Sequence, residues 1–99
     1  MEGTETIIVD YSKIKYYREL HTILRDAMGW PKWYGCNLSA LWDIFSVMGT
    51  PKEIIFRGTK EIYKHEGWGE AWEKMLRVLD REVAEAASFG EDFYYRIEE

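Results

Sequence analysis

Residues 30–48, Trp30-Pro31-Lys32-Trp33-Tyr34-Gly35-Cys36-Asn37-Leu38-Ser39-Ala40-Leu41-Trp42-Asp43-Ile44-Phe45-Ser46-Val47-Met48, decide how this chain is read. Three of its five tryptophans fall within thirteen residues here. Asn37 suits a helix N-cap, because its side-chain oxygen can accept from an otherwise unpaired backbone N–H in the first turn that follows. Gly35 just before it permits a close backbone approach. Advancing about 100° per residue from Leu38 gathers Leu38, Leu41, Ile44, Phe45 and Met48 on one side, the expected core face. Asp43 falls almost opposite, flanked by Ser39 and Ser46, with Trp42 at the boundary. The helix over 37–48 is therefore expected to carry an exposed carboxylate beside Trp42 and the aromatic surface of the Trp33-Tyr34 loop. Such a face suits protein binding, since Trp and Tyr give large contact area at low entropic cost. A small domain that uses tryptophan in its core and leaves Asp43 simply solvated would show the same pattern.

Outward from this stretch, three runs rich in β-branched and aromatic residues read as strands: Thr6–Val9, Glu53–Arg57 after Pro51, and Phe93–Ile97 after Gly90. Helical patterns separate them. Tyr17, Leu20, Ile23, Leu24 and Ala27 recur at three-to-four spacing, and that helix is expected to stop near Gly29, before Pro31. Trp68, Trp72, Met75, Leu76, Leu79, Val83 and Ala86 form a second stripe, with Glu70, Glu73, Lys74, Arg77, Arg81 and Glu85 off it. Strands alternating with helices predict βα(α)βαβ crossovers, an α/β fold with a short parallel sheet whose largely apolar strands are covered by helices. Strand three, which carries Arg96, is the expected edge. There is no repeat, low-complexity tract or linker, so residues 1–99 read as a single domain.

Ninety-nine residues, 46% of them hydrophobic, are too apolar for a disordered chain and too few for a core plus a deep cavity for a large cofactor. Thirteen Lys and Arg against 18 Asp and Glu leave a formal charge of −5, which argues against a nucleic-acid partner and for a basic one. The acid is concentrated: residues 1–60 hold eight basic against seven acidic groups, residues 61–99 five against eleven. The lone Cys36 excludes an internal disulfide and a cysteine-rich zinc site. With acidic Glu2 and Glu5 near the start and no long apolar run, neither a secretory signal nor a membrane span is expected, and the chain reads as a cytoplasmic monomer.

Other chemistry is thin. His21 and His65 lack any metal-ligand spacing, so no metal and no cofactor is expected, and His21, beside the apolar stripe of the first helix, reads as a structural, hydrogen-bonded histidine. Cys36 near a helix start, with His21 as base, is the one arrangement that could imitate a thiol nucleophile pair. Gly67-Trp68-Gly69 lacks the Lys-Ser/Thr of a phosphate loop, and its glycines read as shaping the turn into the last helix. Tyr94 and Tyr95, adjacent on a strand, point to opposite faces and cannot both belong to a base-stacking platform.

At Leu20-His21, Leu24, Pro31, Trp33-Tyr34-Gly35, Asn37-Leu38 and Ala40-Leu41-Trp42-Asp43, without a gap through the motif, the chain resembles the barstar family, intracellular inhibitors of small microbial ribonucleases. The resemblance implies a three-stranded parallel sheet packed with about four helices. It implies, too, a protein without catalysis of its own, whose loop 30–37 and second helix plug the active site of a small basic ribonuclease. Asp43 would then stand where an RNA phosphate binds, Trp33 would cover the catalytic histidine, Gly35, Asn37 and Leu38 would add loop contacts, and Trp42 would shape the helix face. An acidic residue of the last helix would meet a further basic group; Glu82 is the first candidate, with Asp80 and Glu85 as alternatives. Ser39 stands on the same face where the family usually has a second Asp, Cys36 replaces an acidic loop residue, Trp33 replaces Tyr, and Lys32 adds a positive charge. A thinned acidic set also fits a module of this fold that binds a different basic protein.

Overall fold

The computed structural model describes residues 5–98; residues 1–4, Glu2 among them, and residue 99 lie outside it. Strand β1 spans Thr6–Asp10, helix α1 Glu19–Met28, α2 Leu38–Met48, β2 Glu53–Arg57, a 3-10 helix Thr59–Lys64, α3 Trp68–Ser88 and β3 Tyr94–Glu98. The three strands form one parallel sheet in the order β1-β2-β3, with Ile7 opposite Ile54 and Ile54 opposite Tyr95. This is the expected α/β architecture with four helices, one of them a 3-10 helix that has no signature in the apolar periodicity. The third strand is an edge as expected, and β1 is the other.

Coverage of the sheet departs from expectation. Ile7, Val9, Ile54, Phe56 and Tyr95 face a core filled by α1, α2 and α3, whereas Ile8, Thr6, Asp10, Tyr94 and Arg96 on the other face are exposed. Helices therefore cover one face only. Ile55 is nevertheless 6% exposed, because a central strand is screened by its neighbours on both sides. The open face carries a charged ladder, Glu53 to Arg96 (3.1 Å), Arg96 to Glu98 (3.1 Å) and Arg57 to Glu98 (2.7 Å), which keeps it wet rather than adding much stability.

The core is aromatic at its centre. Trp72 packs edge-on against Phe56 (5.0 Å) and Tyr11 (5.2 Å), and the buried Tyr11 hydroxyl donates to the Leu20 carbonyl at 2.7 Å, so no polar atom is stranded there. Gly29 ends α1 in the left-handed region (φ 72°) as expected, and Gly67 (φ 84°) turns the chain into α3. Gly69 is needed for space: a Cβ there would stand 2.5 Å from the Tyr63 ring.

Two helices bury a set of residues slightly different from the expected one. On α2 the buried residues are Leu41, Ile44 and Phe45, while Leu38 and Met48 at its two ends are exposed. On α3 the buried series is Trp72, Met75, Leu79, Glu82 and Ala86, so Glu82 rather than Val83 takes the inward place. Leu41, with none of its surface exposed, is the pivot of α2. Leu41→Ala is expected to cost about 2–5 kcal/mol in chemical denaturation through the cavity it leaves, and a loss well under about 1 kcal/mol would mean α2 does not pack as described.

Candidate functional site

The site is built on a short loop and the helix it launches. After Gly29, Trp30 and Tyr34 turn inward, 6% and 3% exposed, with ring centroids 5.2 Å apart, and Trp30 meets Phe45 edge-on at 5.3 Å. Trp33 between them is left outside, 68% exposed. The aromatic surface of this loop is thus Trp33 alone; Tyr34, expected beside it, is a core residue. Asn37 caps α2 as its position predicts: its Oδ1 accepts from the Ala40 N–H at 2.8 Å, and its Nδ2 donates to the Gly35 carbonyl at 3.3 Å. A Cβ on Gly35 would stand 3.2 Å from that of Ala40, so the close approach read from this glycine is present.

The cap fixes where α2 begins, and so which way Asp43 points. Asp43 is exposed and lines two adjoining depressions. One, of about 220 Å3, is walled by Trp33, Tyr34, Gly35, Ala40, Ile44 and Val47. The other is walled by Leu38, Ser39, Trp42, Val78 and Arg81. Trp33, Gly35, Leu38, Ser39, Trp42 and Asp43 are therefore gathered on one surface, with Asp43 shared by both halves. Asn37 is at its margin and acts on it chiefly through the cap.

Sequence reasoning missed Arg81. Its guanidinium lies 4.5 Å over the Trp42 ring, a cation–π contact that holds one face of the indole. The signal was present, since Arg81 lies three residues beyond Val78 and thus shares its helix face, but the partner ring is on another helix. Glu82 is not part of this surface. It is 6% exposed, and burial, reinforced by Glu85, holds its carboxyl above the usual range. The Asp80 carboxylate accepts from the Tyr95 hydroxyl at 2.6 Å, on the sheet side of α3. Of the three acids considered on the last helix, Glu85 is the exposed one that lines the α2–α3 seam, beside Ser46 and Thr50.

Cys36 and His21 line one cavity, but each is engaged with Tyr34 rather than with the other. Cys36 has a left-handed backbone (φ 54°), and its half-buried thiol donates to the Tyr34 carbonyl at 3.7 Å. His21 Nδ1 and the Tyr34 hydroxyl share a hydrogen bond of 2.7 Å, so this histidine is structural, as expected. Burial pulls its pKa down to about 4, which makes it a weak base near neutrality. Among the described residues no cluster of three or more His, Cys, Asp or Glu is arranged to hold a metal ion. No helix there is long and apolar enough to cross a membrane.

The fold and this face together define a class: small α/β domains with one three-stranded parallel sheet, four helices, and a surface of loop and helix in which aromatic side chains surround a carboxylate. The family model described as Barstar (barnase inhibitor) matches residues 4–98, and the chain belongs to that family, whose members are inhibitors and not enzymes. No curated protein matches the chain.

His21 gives the fold a definite acid response. Its folded pKa lies near 4 against an ordinary 6.5, so the unfolded chain takes up this proton first. The stability carried by the neutral ring is full above about pH 6.5 and is lost as the pH falls through about 4. Glu82 works in the opposite sense: its raised pKa means that ionisation opposes folding, and protonation on acidification relieves that cost. A proton NMR titration of the His21 ring is expected to show a midpoint near 4, and His21→Gln to flatten the decline of unfolding free energy between 6.5 and 4. A midpoint near 6.5 would contradict the burial described.

Proposed function

We propose that this protein inhibits a small basic ribonuclease by seating loop 30–37 and α2 in its active site, with the Asp43 carboxylate taking the place of an RNA phosphate. The observation that carries the reading is Asp43 itself: exposed on a rigid, capped helix and shared by two depressions whose rims are Trp33 and Trp42. An aromatic rim excludes water from a contact, and a carboxylate held there by the fold meets a cationic site without reorganising. Inhibition is steric and electrostatic, and no group of this chain does chemistry. The excess acid of residues 61–99 would steer a basic enzyme toward the molecule. Trp33, Gly35, Asn37, Leu38, Ser39, Trp42 and Asp43 form the contact, and Glu85, rather than the buried Glu82, is the exposed acid that α3 places on the α2–α3 seam.

One observation favours a second reading. Ser39 is uncharged and Arg81 covers Trp42, so half of this face is less acidic than a strongly basic enzyme would select. A different basic protein is the partner in that case.

The test is titration of the chain into a panel of small microbial ribonucleases under an RNA-cleavage assay. Stoichiometric inhibition is expected. Asp43→Ala should weaken it by about 2–5 kcal/mol, the cost of stranding the cations that the carboxylate meets, while the thermal midpoint stays unchanged because Asp43 is off the core. Cys36→Ala should inhibit like the parent. If no enzyme of the panel is inhibited, the ribonuclease reading gives way to the second one; inhibition that survives Asp43→Ala would place the interface elsewhere.

A further inference from the structure

A cavity of about 470 Å3 opens between the first turns of α1 and α3 and the loop that leads into α2, and Asp43 takes no part in it. Pockets that hold small molecules run to roughly 300–1,000 Å3 and are mostly apolar, with a few polar groups converging on the ligand. The floor here is apolar and fixed: Leu20 and Met75 are each 1% exposed, and Ala71 and Leu38 continue it. The polar groups come from separate elements. Arg18 and His21 belong to the start of α1, Lys74 to α3, and among the described residues neither Arg18 nor Lys74 is in an ion pair. His21 Nδ1 is bonded to the Tyr34 hydroxyl, which has no other partner among the described residues, so the hydroxyl proton goes to Nδ1 and the ring proton is on Nε2. His21 thus brings a neutral donor to the cavity wall, and that donor has no partner of its own there. At the rim Tyr17 lies 6.0 Å from Trp68, which is itself stacked on His65 at 3.8 Å, so an aromatic wall stands beside the cations.

We propose that this cavity binds a small organic anion, its carboxylate or phosphate head held among Arg18, Lys74 and His21 Nε2 and its apolar or aromatic body laid on Leu20, Leu38 and Met75. Charge complementarity selects the class. The chain has a formal charge of −5, yet this cavity sets two cations against one acid, Glu70. A cationic hollow in an acidic molecule concentrates anions that the rest of the surface repels. Glu70 leaves the lining only one positive charge in excess, which suits a single anionic head and disfavours a polyanion such as RNA. The apolar floor then separates an organic anion from a bare inorganic one, since only the former removes that surface from water. Asn37 and Leu38 begin α2 and Gly67 precedes α3, so the positive ends of two helix dipoles add to the same preference. Leu38 also borders the Asp43 depression, so the site adjoins the proposed protein contact without sharing its carboxylate. The inference does not depend on the ribonuclease reading.

The probes are sodium benzoate and phenyl phosphate, each titrated into the 15N-labelled full chain at constant ionic strength and followed by heteronuclear NMR. Saturable shifts are expected at the Arg18, His21, Leu38, Ala71 and Lys74 amides, and the tighter of the two probes tells whether the head is a carboxylate or a phosphate. Benzylamine hydrochloride has the same ring with a cationic head and should not saturate. Inorganic phosphate should bind several-fold more weakly than phenyl phosphate. Arg18→Gln combined with Lys74→Gln changes two exposed side chains, so the thermal midpoint should hold while binding weakens by about tenfold or more. Ala71→Leu keeps every charge and fills the cavity; it should weaken the probes by a similar factor. The proposal is overturned if neither anion saturates, if benzylamine binds as well as benzoate, if inorganic phosphate matches phenyl phosphate, or if binding is undiminished in the double variant. No ribonuclease enters this experiment, so its failure is separate from a failure of inhibition in the cleavage assay.

Discussion

The aromatic anchoring of the loop after α1 is the constraint on which the rest of the site depends. Between Gly29 and Asn37 the chain must reverse and start a new helix at a defined residue. Trp30 and Tyr34 hold it by burying their rings, one against Phe45 of the helix to come and the other against His21 of the helix just finished. The 2.7 Å bond between the Tyr34 hydroxyl and His21 Nδ1 closes the arrangement, and burial keeps both groups neutral. With residues 30 and 34 turned inward, residue 33 must turn outward. The exposure of Trp33 is thus a consequence of its neighbours' burial and requires no contact of its own.

The same constraint sets the phase of α2. Asn37 accepts the Ala40 N–H and so fixes the first turn, and Leu41, Ile44 and Phe45 then fall on the core. Asp43 has no choice but to face solvent. A carboxylate delivered this way loses little entropy on binding, since the helix that carries it is already ordered. What the loop contributes is therefore orientation, and what α2 contributes is charge in a fixed place.

How far this was legible in the sequence follows from which signals are local. The Asn37 cap, the Gly29 stop and the three strands are written in adjacent residues, and each lies within a residue of its expected place. The burial of Tyr34 is not legible because a loop has no periodicity: nothing in Trp33-Tyr34 says which ring is covered until α1 is placed beside it. Leu38 and Met48 have core spacing, yet they lie at the ends of α2, where the neighbouring elements no longer reach. The open face of the sheet is hidden in the sequence for a related reason. β2 is apolar throughout because it is central, and apolar content alone does not tell screening by flanking strands from cover by helices. The 3-10 helix is too short to show a period at all. The burial of Glu82 is legible, since Trp72, Met75, Leu79 and Ala86 are separated by steps of three, four and seven, and the missing place in that series is residue 82.

Charge on the α2–α3 side is distributed in a way that composition could not show. An acidic excess in the last third suggests a uniformly negative surface, but Arg81 is folded onto Trp42 and Glu82 is folded inward. Each move changes the field more than its formal charge implies. A guanidinium stacked on an indole stays near Ser39 and Asp43 and makes the place less attractive to a cation. A buried carboxylate, by contrast, projects little into solvent. Long-range attraction for a basic partner, as proposed, would therefore come from the many solvated acids of α3 and the segment after it. In the proposed function, discrimination among partners would come from a few groups, Asp43 above all, whose positions are dictated by packing. A partner selected only by net charge would be held anywhere on the acidic side; one that also fits between Trp33 and Trp42 would be held at Asp43.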